Sequence, residues 1–266
     1  MSPETASPDQ KGVALVTGAT SGIGLAVTET LAGRGWRTYI CARSADTVHA
    51  TAKRLQEQGL DVDGTACDVR SRPDIEAFVR GAVDRYGPVD VLVNNAGRSG
   101  GGITADIGDE LWFDVINTNL NSVFLVTREV LTAGGMRDRG RGRIVNIAST
   151  AGKQGVVYGA PYSASKHGVV GFTKALGNEL GATGITVNAV CPGYVETPMA
   201  QQIRQRHADF HGTTEQDILQ RFQAKIPLGR YSTPQEVAGL VGYLVTDTAS
   251  SITAQAINVC GGLGNF

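Results

Sequence analysis

The chain has 266 residues, of which 41% are hydrophobic and 18% are charged, and its formal net charge at pH 7 is −1. This composition is sufficient for a substantial buried core, and a charge so near zero argues against broad nucleic-acid binding. No apolar stretch approaches the roughly 20 residues needed to cross a membrane. The four cysteines form no Cys-x-x-Cys pair, which argues against a zinc site or disulfide framework and predicts buried thiols in a reducing cytoplasm.

The first eleven residues, Met1–Lys11, are polar and contain proline, and they include no apolar segment typical of a secretory signal. They are expected to form a flexible tail over residues 1–11. No second domain boundary and no internal repeat is visible after them. We therefore expect a single domain over residues 12–266 and a cytoplasmic location.

From residue 13 onward, short apolar runs alternate with segments of helical periodicity. The predicted strands are Val13–Thr17, Thr38–Ala42, Val62–Cys67, Val89–Val93, Arg143–Ser149, Ile185–Cys191 and Ala254–Val259. The predicted helices are Leu25–Arg34, Thr47–Gln58, Pro73–Tyr86, Leu111–Leu131, Tyr162–Leu180 and Pro234–Val245. Alternation at this pitch predicts an α/β fold with a parallel, doubly wound sheet.

A glycine-rich turn, Gly18-Ala-Thr-Ser-Gly22-Ile-Gly24, joins the first predicted strand to the first helix. In this context glycines let the backbone approach a dinucleotide pyrophosphate, and the helix N-terminus supplies N–H donors. The spacing differs from the commoner Gly-x-Gly-x-x-Gly. The alternative is a glycine-rich turn that serves tight packing alone.

The second predicted strand ends at Arg43-Ser44, and residues 41–45 contain no acidic side chain. An acid at this position would bond the ribose 2′-hydroxyl of NAD, whereas an arginine accommodates the 2′-phosphate of NADP. Arg43 therefore favours NADP(H), although an ordinary surface arginine is the alternative.

Several polar or turn-forming residues follow the strands directly. Asp68, Asn95, Ser149 and the pair Pro192-Gly193 all fall just past predicted strand ends. Ligands of doubly wound sheets bind at the carboxyl ends of the strands, so these residues are expected to converge on one edge. Residues 94–97 could equally form a simple turn, and residues 98–102 are expected to extend it as a flexible loop.

Tyr162 and Lys166 are spaced i, i+4 at the start of a predicted helix, so their side chains are expected to share one face. A nearby ammonium stabilises phenolate, and Lys166 is therefore expected to lower the pKa of Tyr162 from its usual value of about 10. The Ser149 hydroxyl could steady a substrate oxygen near that phenol. A short Tyr-x-x-x-Lys motif is weak evidence by itself, because it also occurs on solvated helix faces.

Two further segments carry alternatives. Asn119 lies among apolar residues of a predicted helix, either as a satisfied core amide or as part of a kink that holds water beside Lys166. Residues 199–226 are polar and helical, which indicates a lid over the cleft. His207 and His211 are spaced i, i+4 within it, but no third ligand accompanies them, so surface histidines are expected and no metal site is predicted.

The motifs taken together resemble the short-chain dehydrogenase/reductase superfamily over about residues 12–266. They are Thr17-Gly-x-x-x-Gly-Ile-Gly24, Asn94-Asn-Ala-Gly97, Asn119, Ser149, Tyr162-x-x-x-Lys166 and Pro192-Gly193. The resemblance implies a single Rossmann-type domain with a seven-stranded parallel sheet, helices on both faces, and a homotetramer.

A closer resemblance is to ketoreductases of bacterial aromatic (type II) polyketide synthases. It is carried by Arg98-Ser-Gly-Gly101, Asp109-Glu-Leu-Trp112, Gly152-Lys-Gln-Gly-Val156, residues 191–199 and the ending Asn258–Phe266. Those enzymes often have proline where this chain has Ser99, and serine frees the φ angle that proline fixes. The resemblance therefore does not predict which face of the ketone this chain would reduce.

The resemblance implies NADPH-dependent reduction of a ketone to an alcohol in antibiotic biosynthesis, with roles for individual residues. The implied catalytic residues are Asn119, which would position a water, together with Ser149, Tyr162 and Lys166. The implied cofactor-binding residues are Thr17, Gly18, Thr20, Ser21, Gly22, Ile23, Gly24, Arg43, Asp68, Val69, Asn95, Ala96, Gly97, Tyr162, Lys166, Pro192, Gly193, Val195 and Thr197. The implied substrate-binding residues are Ser99, Gly100, Gly101, Ser149, Gln154, Tyr194 and Met199.

The implied substrate is a polyketide tethered to an acidic acyl carrier protein, which could dock on Arg43, Arg70 and Arg98; unrelated surface arginines are the alternative. Two other functions remain open. A 3-oxoacyl-[acyl-carrier-protein] reductase of fatty-acid synthesis would share every catalytic residue. A non-catalytic nucleotide-sensing protein would share the fold, although such a protein has no need of an acid.

Overall fold

The computed structural model describes residues 12–264. The predicted tail over residues 1–11 and the last two residues lie outside this range. None of the helices within it combines the length and apolar character that a membrane span requires. The four cysteines, Cys41, Cys67, Cys191 and Cys260, are buried free thiols.

Within the described residues, seven parallel strands form one sheet in the order β3-β2-β1-β4-β5-β6-β7. The strands are β1 (Val13–Thr17), β2 (Arg37–Ala42), β3 (Val62–Ala66), β4 (Val89–Asn94), β5 (Gly142–Ile147), β6 (Ile185–Pro192) and β7 (Ala256–Val259). The order reverses direction between β1 and β4, which is the switch point where such sheets bind ligands.

Nine helices of at least eight residues lie within the described residues. They are α1 (Gly22–Ala32), α2 (Ala45–Gln56), α3 (Arg72–Tyr86), α4 (Asp109–Ile116), α5 (Ser122–Leu131), α6 (Ala160–Leu180), α7 (Pro198–His211), α8 (Glu215–Gln223) and α9 (Pro234–Leu244). Of these, α7 and α8, between β6 and β7, form a polar segment. A π turn, Asn117–Asn121, joins α4 to α5. The single long helix predicted over 111–131 is therefore interrupted at its middle.

The core forms two layers because each strand directs alternate side chains to opposite faces. Ala14 and Val16 of β1 pack with α1, α2 and α9 on one face. Val13 and Leu15 pack with α3, α5 and α6 on the other. All five residues of β1 are buried, as expected for a central strand covered on both faces. The predicted doubly wound α/β fold is confirmed.

Several predicted boundaries were wrong by a few residues. The first helix begins at Gly22 rather than Leu25, so the last two glycines of the turn lie in its first turn. Strand β5 ends at Ile147 rather than Ser149, because Ser149 instead caps a short 3₁₀ turn, Thr150–Gly152. Ser149 therefore lies beyond the strand end, on the edge of the sheet.

Candidate active site

The predicted strand-end residues meet at one edge because all seven strands run in the same direction. In sheet order, Gly18 follows β1, Asn95 follows β4, Ser149 follows β5 and Gly193 follows β6. The four adjacent strand ends therefore bring the glycine-rich turn next to the Ser149 region. Asp68 lies at the same edge, two strands further out, after β3.

Close packing explains the glycines of the turn. Gly18 and Gly22 have positive φ angles of 64° and 54°, a region that side-chain-bearing residues rarely adopt. A Cβ atom on Gly24 would lie 2.2 Å from the Gly18 carbonyl oxygen and 2.4 Å from Asn95 Nδ2. The turn is thus pressed against the end of β4. Packing therefore accounts for these glycines, and nucleotide binding at the same turn stays a prediction that packing does not exclude.

Thr17 and Asn95 hold this arrangement together. The Thr17 hydroxyl accepts hydrogen bonds from the backbone N–H groups of Asn95 and Ala96, each 3.0 Å long. The Asn95 amide donates to the carbonyls of Thr17 and Gly18 at 3.0 and 2.9 Å. These side chains join β1 to β4, and they position the turn through bonds within the protein.

The N-terminus of α1 is suited to an anion. Ser21 is its N-cap residue but makes no capping hydrogen bond, and the first turn, which includes Ile23, contains no acidic side chain. The helix dipole therefore presents positive potential there. Thr20 and Ser21 flank this end, and a Cβ on Gly22 would lie 3.2 Å from the Thr197 methyl group.

Arg43 is exposed just past the end of β2. Within the part of the chain that the structure describes, it makes no ion pair. Its charge lies close enough to Asp68 to contribute to the lowered pKa of that carboxyl, although hydrogen bonds from Arg70 are the main cause. Arg43 is therefore a cation available for a phosphate. Val69, beside Asp68, is buried.

Ser149 and Tyr162 contact each other across two elements. The Ser149 hydroxyl, beyond β5, lies close enough to the Tyr162 phenol, in the first turn of α6, to lower the pKa of that phenol. The Ser149 oxygen also accepts the backbone N–H of Ala151 at 3.1 Å. Since that bond uses a lone pair, the Ser149 proton remains available to donate.

Lys166 is buried one helical turn after Tyr162, with 5% of its surface exposed. Its ammonium donates to the Ile147 carbonyl at 2.8 Å and lies 5.8 Å from the centroid of the Tyr162 ring. Burial lowers the pKa of Lys166 to about 8. The predicted common face of the two side chains is confirmed, and the solvated-face alternative is wrong.

The prediction that Tyr162 is unusually acidic is wrong for this structure. Burial raises the pKa of Tyr162 above its usual value, and the neighbouring Ser149 hydroxyl only partly opposes that effect. Lys166 donates its hydrogen bond to the Ile147 carbonyl instead. The phenol consequently carries its proton at neutral pH, which is the form that can donate to an oxygen.

Asn119 is fully buried in the π turn. Its amide accepts from the backbone N–H of Arg98 at 2.8 Å and donates to the Arg98 carbonyl and the Ser165 hydroxyl at 2.9 and 3.1 Å. A Cβ on Gly97 would lie 3.3 Å from this amide oxygen and 3.7 Å from the Lys166 nitrogen. Both the satisfied amide and the kink beside Lys166 are thus present. The water that Asn119 would position stays a prediction.

The loop after Gly97 is packed on both sides, so its predicted flexibility is wrong. Cβ atoms on Gly100 and Gly101 would lie 2.3 Å from Val115 and 2.0 Å from the Tyr158 carbonyl oxygen. The Gly102 N–H donates to the same carbonyl at 2.8 Å. This loop forms a fixed wall at the carboxyl end of β4.

The predicted lid consists of α7 and α8 and is anchored by Arg204, which sequence reasoning missed. The Arg204 side chain is 4% exposed. It makes two hydrogen bonds to Glu196, at 2.9 and 2.8 Å, and an ion pair with Glu215. Its guanidinium lies 5.2 Å from the Tyr231 ring centroid. Arg204 therefore ties α7 to the segment after β6 and to α8.

The residues after β6 mainly hold the lid. The Tyr194 ring stacks between Phe222 and Tyr231, with centroids 4.9 and 5.2 Å away. Both of its faces are covered, so only its edge could touch a substrate. Thr197 caps α7 through the Ala200 N–H at 3.2 Å. Val195 pairs with Ser232 in an isolated bridge.

The remaining predicted residues flank this region. Pro192 ends β6 and is buried, and a Cβ on Gly193 would lie 2.9 Å from that of Cys260. Met199, in the first turn of α7, is 39% exposed, and Gln154 is exposed after the 3₁₀ turn.

The two lid histidines contact aromatic rings. The rings of His207 and His211 lie 6.2 Å apart, and His207 packs edge-on against Phe222 at 5.4 Å. No group of three or more potential metal ligands occurs among residues 12–264.

The arginines predicted to dock a partner are partly neutralised. Arg70 forms ion pairs with Asp68 at 2.5 Å and with Asp114 at 2.6 Å. Arg98 also pairs with Asp114. Three arginines, counting Arg43, and two aspartates leave a net charge of one positive unit on this patch.

Comparison with known proteins agrees with this geometry. The family model described as short chain dehydrogenase matches residues 12–208. A Streptomyces virginiae protein assigned as the ketoacyl reductase of the monensin polyketide synthase is 71% identical over 96% of this chain and 97% of its own length. The 3-oxoacyl-[acyl-carrier-protein] reductase FabG of Vibrio cholerae is 38% identical over 94% of this chain and 96% of its own.

Among solved structures, a point variant of actinorhodin polyketide ketoreductase with NADPH has a TM-score of 0.95 and 61% identity, covering 98% of this chain and 100% of that one. The family model alone spans well over half of the sequence. Together with the Ser149, Tyr162 and Lys166 geometry, these matches show that the chain belongs to the short-chain dehydrogenase family.

Proposed function

We propose that this chain is an NADPH-dependent ketoreductase that reduces a ketone of a carrier-protein-bound polyketide to a secondary alcohol in aromatic polyketide (antibiotic) biosynthesis. The observation that carries the proposal is the placement of the Ser149 hydroxyl beside the Tyr162 phenol, beyond the end of β5. It places a proton donor and a second hydroxyl at the sheet edge that also carries the glycine-rich turn. The buried Lys166 lies beside them.

The residues present fit NADPH. The glycine turn is pressed against the end of β4, and the α1 N-terminus is uncapped by side chains and has no acidic residue in its first turn. Arg43 would hold the 2′-phosphate. The other proposed contacts are Thr17, Thr20, Ser21, Gly22, Ile23, Asp68, Val69, Asn95, Ala96, Gly97, Tyr162, Lys166, Pro192, Gly193, Val195 and Thr197. When bound, NADPH supplies the hydride.

The protein's own contribution is proton donation and charge stabilisation. Tyr162, kept neutral by burial, donates its proton to the oxygen that becomes the alcohol. Ser149 donates a hydrogen bond to the same oxygen and stabilises its developing negative charge. Lys166 places a positive charge beneath this pair, and Asn119 fixes the loop that borders it.

The proposed substrate pocket lies between the 99–101 loop and the lid of residues 199–226, within one domain over residues 12–266. Ser99, Gly100 and Gly101 form one wall, and Gln154, Tyr194 and Met199 border the other. The packed loop and the Arg204 anchor support a pocket with fixed walls.

The proposed partners are an acyl carrier protein and further copies of this chain. Docking would use the patch of Arg43, Arg70 and Arg98, in which Arg70 and Arg98 are also paired with carboxylates. A homotetramer is supported by Phe113 on α4 and Phe124 on α5, which are 58% and 46% exposed. We also propose a cytoplasmic location, which four buried free thiols support.

The test is oxidation of NADPH, followed at 340 nm, with trans-1-decalone as a generic bicyclic ketone and with an acetoacetyl thioester. Turnover of both, with NADPH preferred to NADH, is the expected result. Turnover of the thioester alone would favour the fatty-acid reductase, whose relatives here are only 37–38% identical. Absence of turnover with either would refute the proposal.

A further inference from the structure

A hydrogen bond joins the loop after β4 to helix α7, which follows β6, on the side of the sheet where the strands end. The Arg206 guanidinium on α7 donates to the Ser99 hydroxyl at 2.9 Å. Ser99 follows β4 and α7 follows β6, whereas Ser149 follows β5. Because β5 lies between β4 and β6 in the sheet, this bond joins the segments that follow the two strands on either side of β5. We call this contact the Ser99–Arg206 bridge.

Both ends of the bridge are held by other contacts. On the loop side, the Asn119 amide fixes the Arg98 backbone, and the Gly102 N–H bonds the Tyr158 carbonyl. On the lid side, Arg204 anchors α7, only two residues before Arg206. Each wall is therefore anchored separately, and the bridge adds a further restraint between them through one long, exposed side chain.

We propose that Arg206 is a specificity-determining residue that, with Ser99, limits the width of the substrate entrance. The proposal rests on the ketoreductase function above. A slender acyl thioester passes beside the bridge, whereas a fused-ring ketone requires the guanidinium to leave Ser99. Since one hydrogen bond of this kind is weak, its loss is expected to raise the relative rate for a fused-ring ketone by roughly threefold to tenfold.

The experiment compares Arg206→Gln, Ser99→Ala and the double variant, with Arg221→Ala on α8 as an exposed control arginine. The quantity is the kcat/KM for trans-1-decalone divided by that for acetoacetyl-N-acetylcysteamine, at saturating NADPH. Each single variant should raise this ratio by roughly threefold to tenfold, and the double variant should raise it no further. A ratio within about twofold of wild type in both single variants, or multiplicative effects in the double variant, would overturn the proposal.

A second readout requires no substrate. Amide hydrogen exchange of residues 199–211 should be faster in Arg206→Gln and in Ser99→Ala than in the wild type and in Arg221→Ala. Unchanged exchange in the first two variants would show that no such bridge restrains α7 and would overturn the inference. If the wild type reduces neither ketone, the proposed function fails, and the exchange result still decides whether the bridge exists.

Discussion

The ammonium of Lys166 donates a 2.8 Å hydrogen bond to the carbonyl of Ile147, the last residue of β5. The last carbonyl of β5 therefore accepts a hydrogen bond from the lysine of the Tyr-x-x-x-Lys motif. The bond fixes the lysine beside Tyr162, but it leaves the charge buried. Burial of a charge has a free-energy cost that depends on pH.

The contribution of Lys166 to the free energy of unfolding is expected to rise between pH 8 and pH 10. Burial lowers the pKa of Lys166 to about 8, whereas an unfolded lysine has a pKa of about 10.4. Between these values the unfolded chain binds more protons than the folded one, so the free energy of unfolding increases with pH. Relative to Lys166→Met, the wild type should gain on the order of 2 kcal/mol from pH 7 to pH 10.

This prediction is measured by urea denaturation of both proteins at the two pH values. Lys174→Met serves as the matched control, because Lys174 lies exposed on the same helix. Its difference from the wild type should not change with pH. A flat difference for Lys166→Met as well would mean that the lysine is not buried as a charge.

Removing the Tyr162 hydroxyl should abolish most turnover while leaving the cofactor bound. A positioned proton donor raises a reaction rate by roughly 10²- to 10⁴-fold. The kcat of Tyr162→Phe should therefore be lower than that of the wild type by roughly the same factor. The phenyl ring keeps the packing of the tyrosine, and NADPH affinity, measured by fluorescence titration, should remain nearly intact. Tyr243→Phe is the control, because Tyr243 lies 44% exposed on α9. Near-normal turnover in Tyr162→Phe would remove this residue from the mechanism.

The sequence predicted those parts of the site that depend on local spacing and strand direction. Tyr162 and Lys166 share a helix face because they are four residues apart, and Ser149 reaches them because parallel strands end at one edge. The pKa of Tyr162 could not be predicted in this way. It depends on the balance between burial and nearby charge, and in this structure burial prevails.

The contacts by which Arg204 anchors the lid could not be predicted from the sequence. Arg204, Glu196 and Glu215 come from three separate segments, and no local pattern relates them. Only the packing of α7 against α8 brings them together. The sequence predicted the kink at Asn119 only as one of two alternatives, since the apolar spacing of residues 111–131 is nearly that of an uninterrupted helix.

Arg43 is expected to set the preference for NADPH over NADH. A hydrogen bond between charged groups contributes about 1.5–3 kcal/mol, which corresponds to a change of roughly 10- to 150-fold. Arg43→Ala should therefore lower the NADPH/NADH ratio of kcat/KM by that factor, mainly through KM for NADPH. Arg72→Ala is the control, because Arg72 is exposed and pairs with Glu76 at 3.2 Å. An unchanged ratio in Arg43→Ala would exclude this residue from the phosphate site.

Replacing Arg204 should loosen the lid more than the sheet. Arg204→Met keeps much of the side-chain volume but removes the bonds to Glu196 and Glu215. Both glutamates retain access to water, with 43% and 33% of their side chains exposed. The loss should therefore be lower than for a fully buried pair, at about 1–3 kcal/mol.

Two measurements check the lid prediction together. The Tm of Arg204→Met should fall by several degrees, at roughly 2–4 °C per kcal/mol for a chain of this size. Hydrogen exchange should accelerate over residues 198–223 and remain unchanged in β1 and β4, because Arg204 contacts the lid and not the central strands. Arg221→Ala, which removes an exposed arginine from the same lid, should change neither quantity. Uniform acceleration across the sheet would instead assign Arg204 to the stability of the whole domain, and an unaltered Tm with unaltered exchange would contradict its role as an anchor.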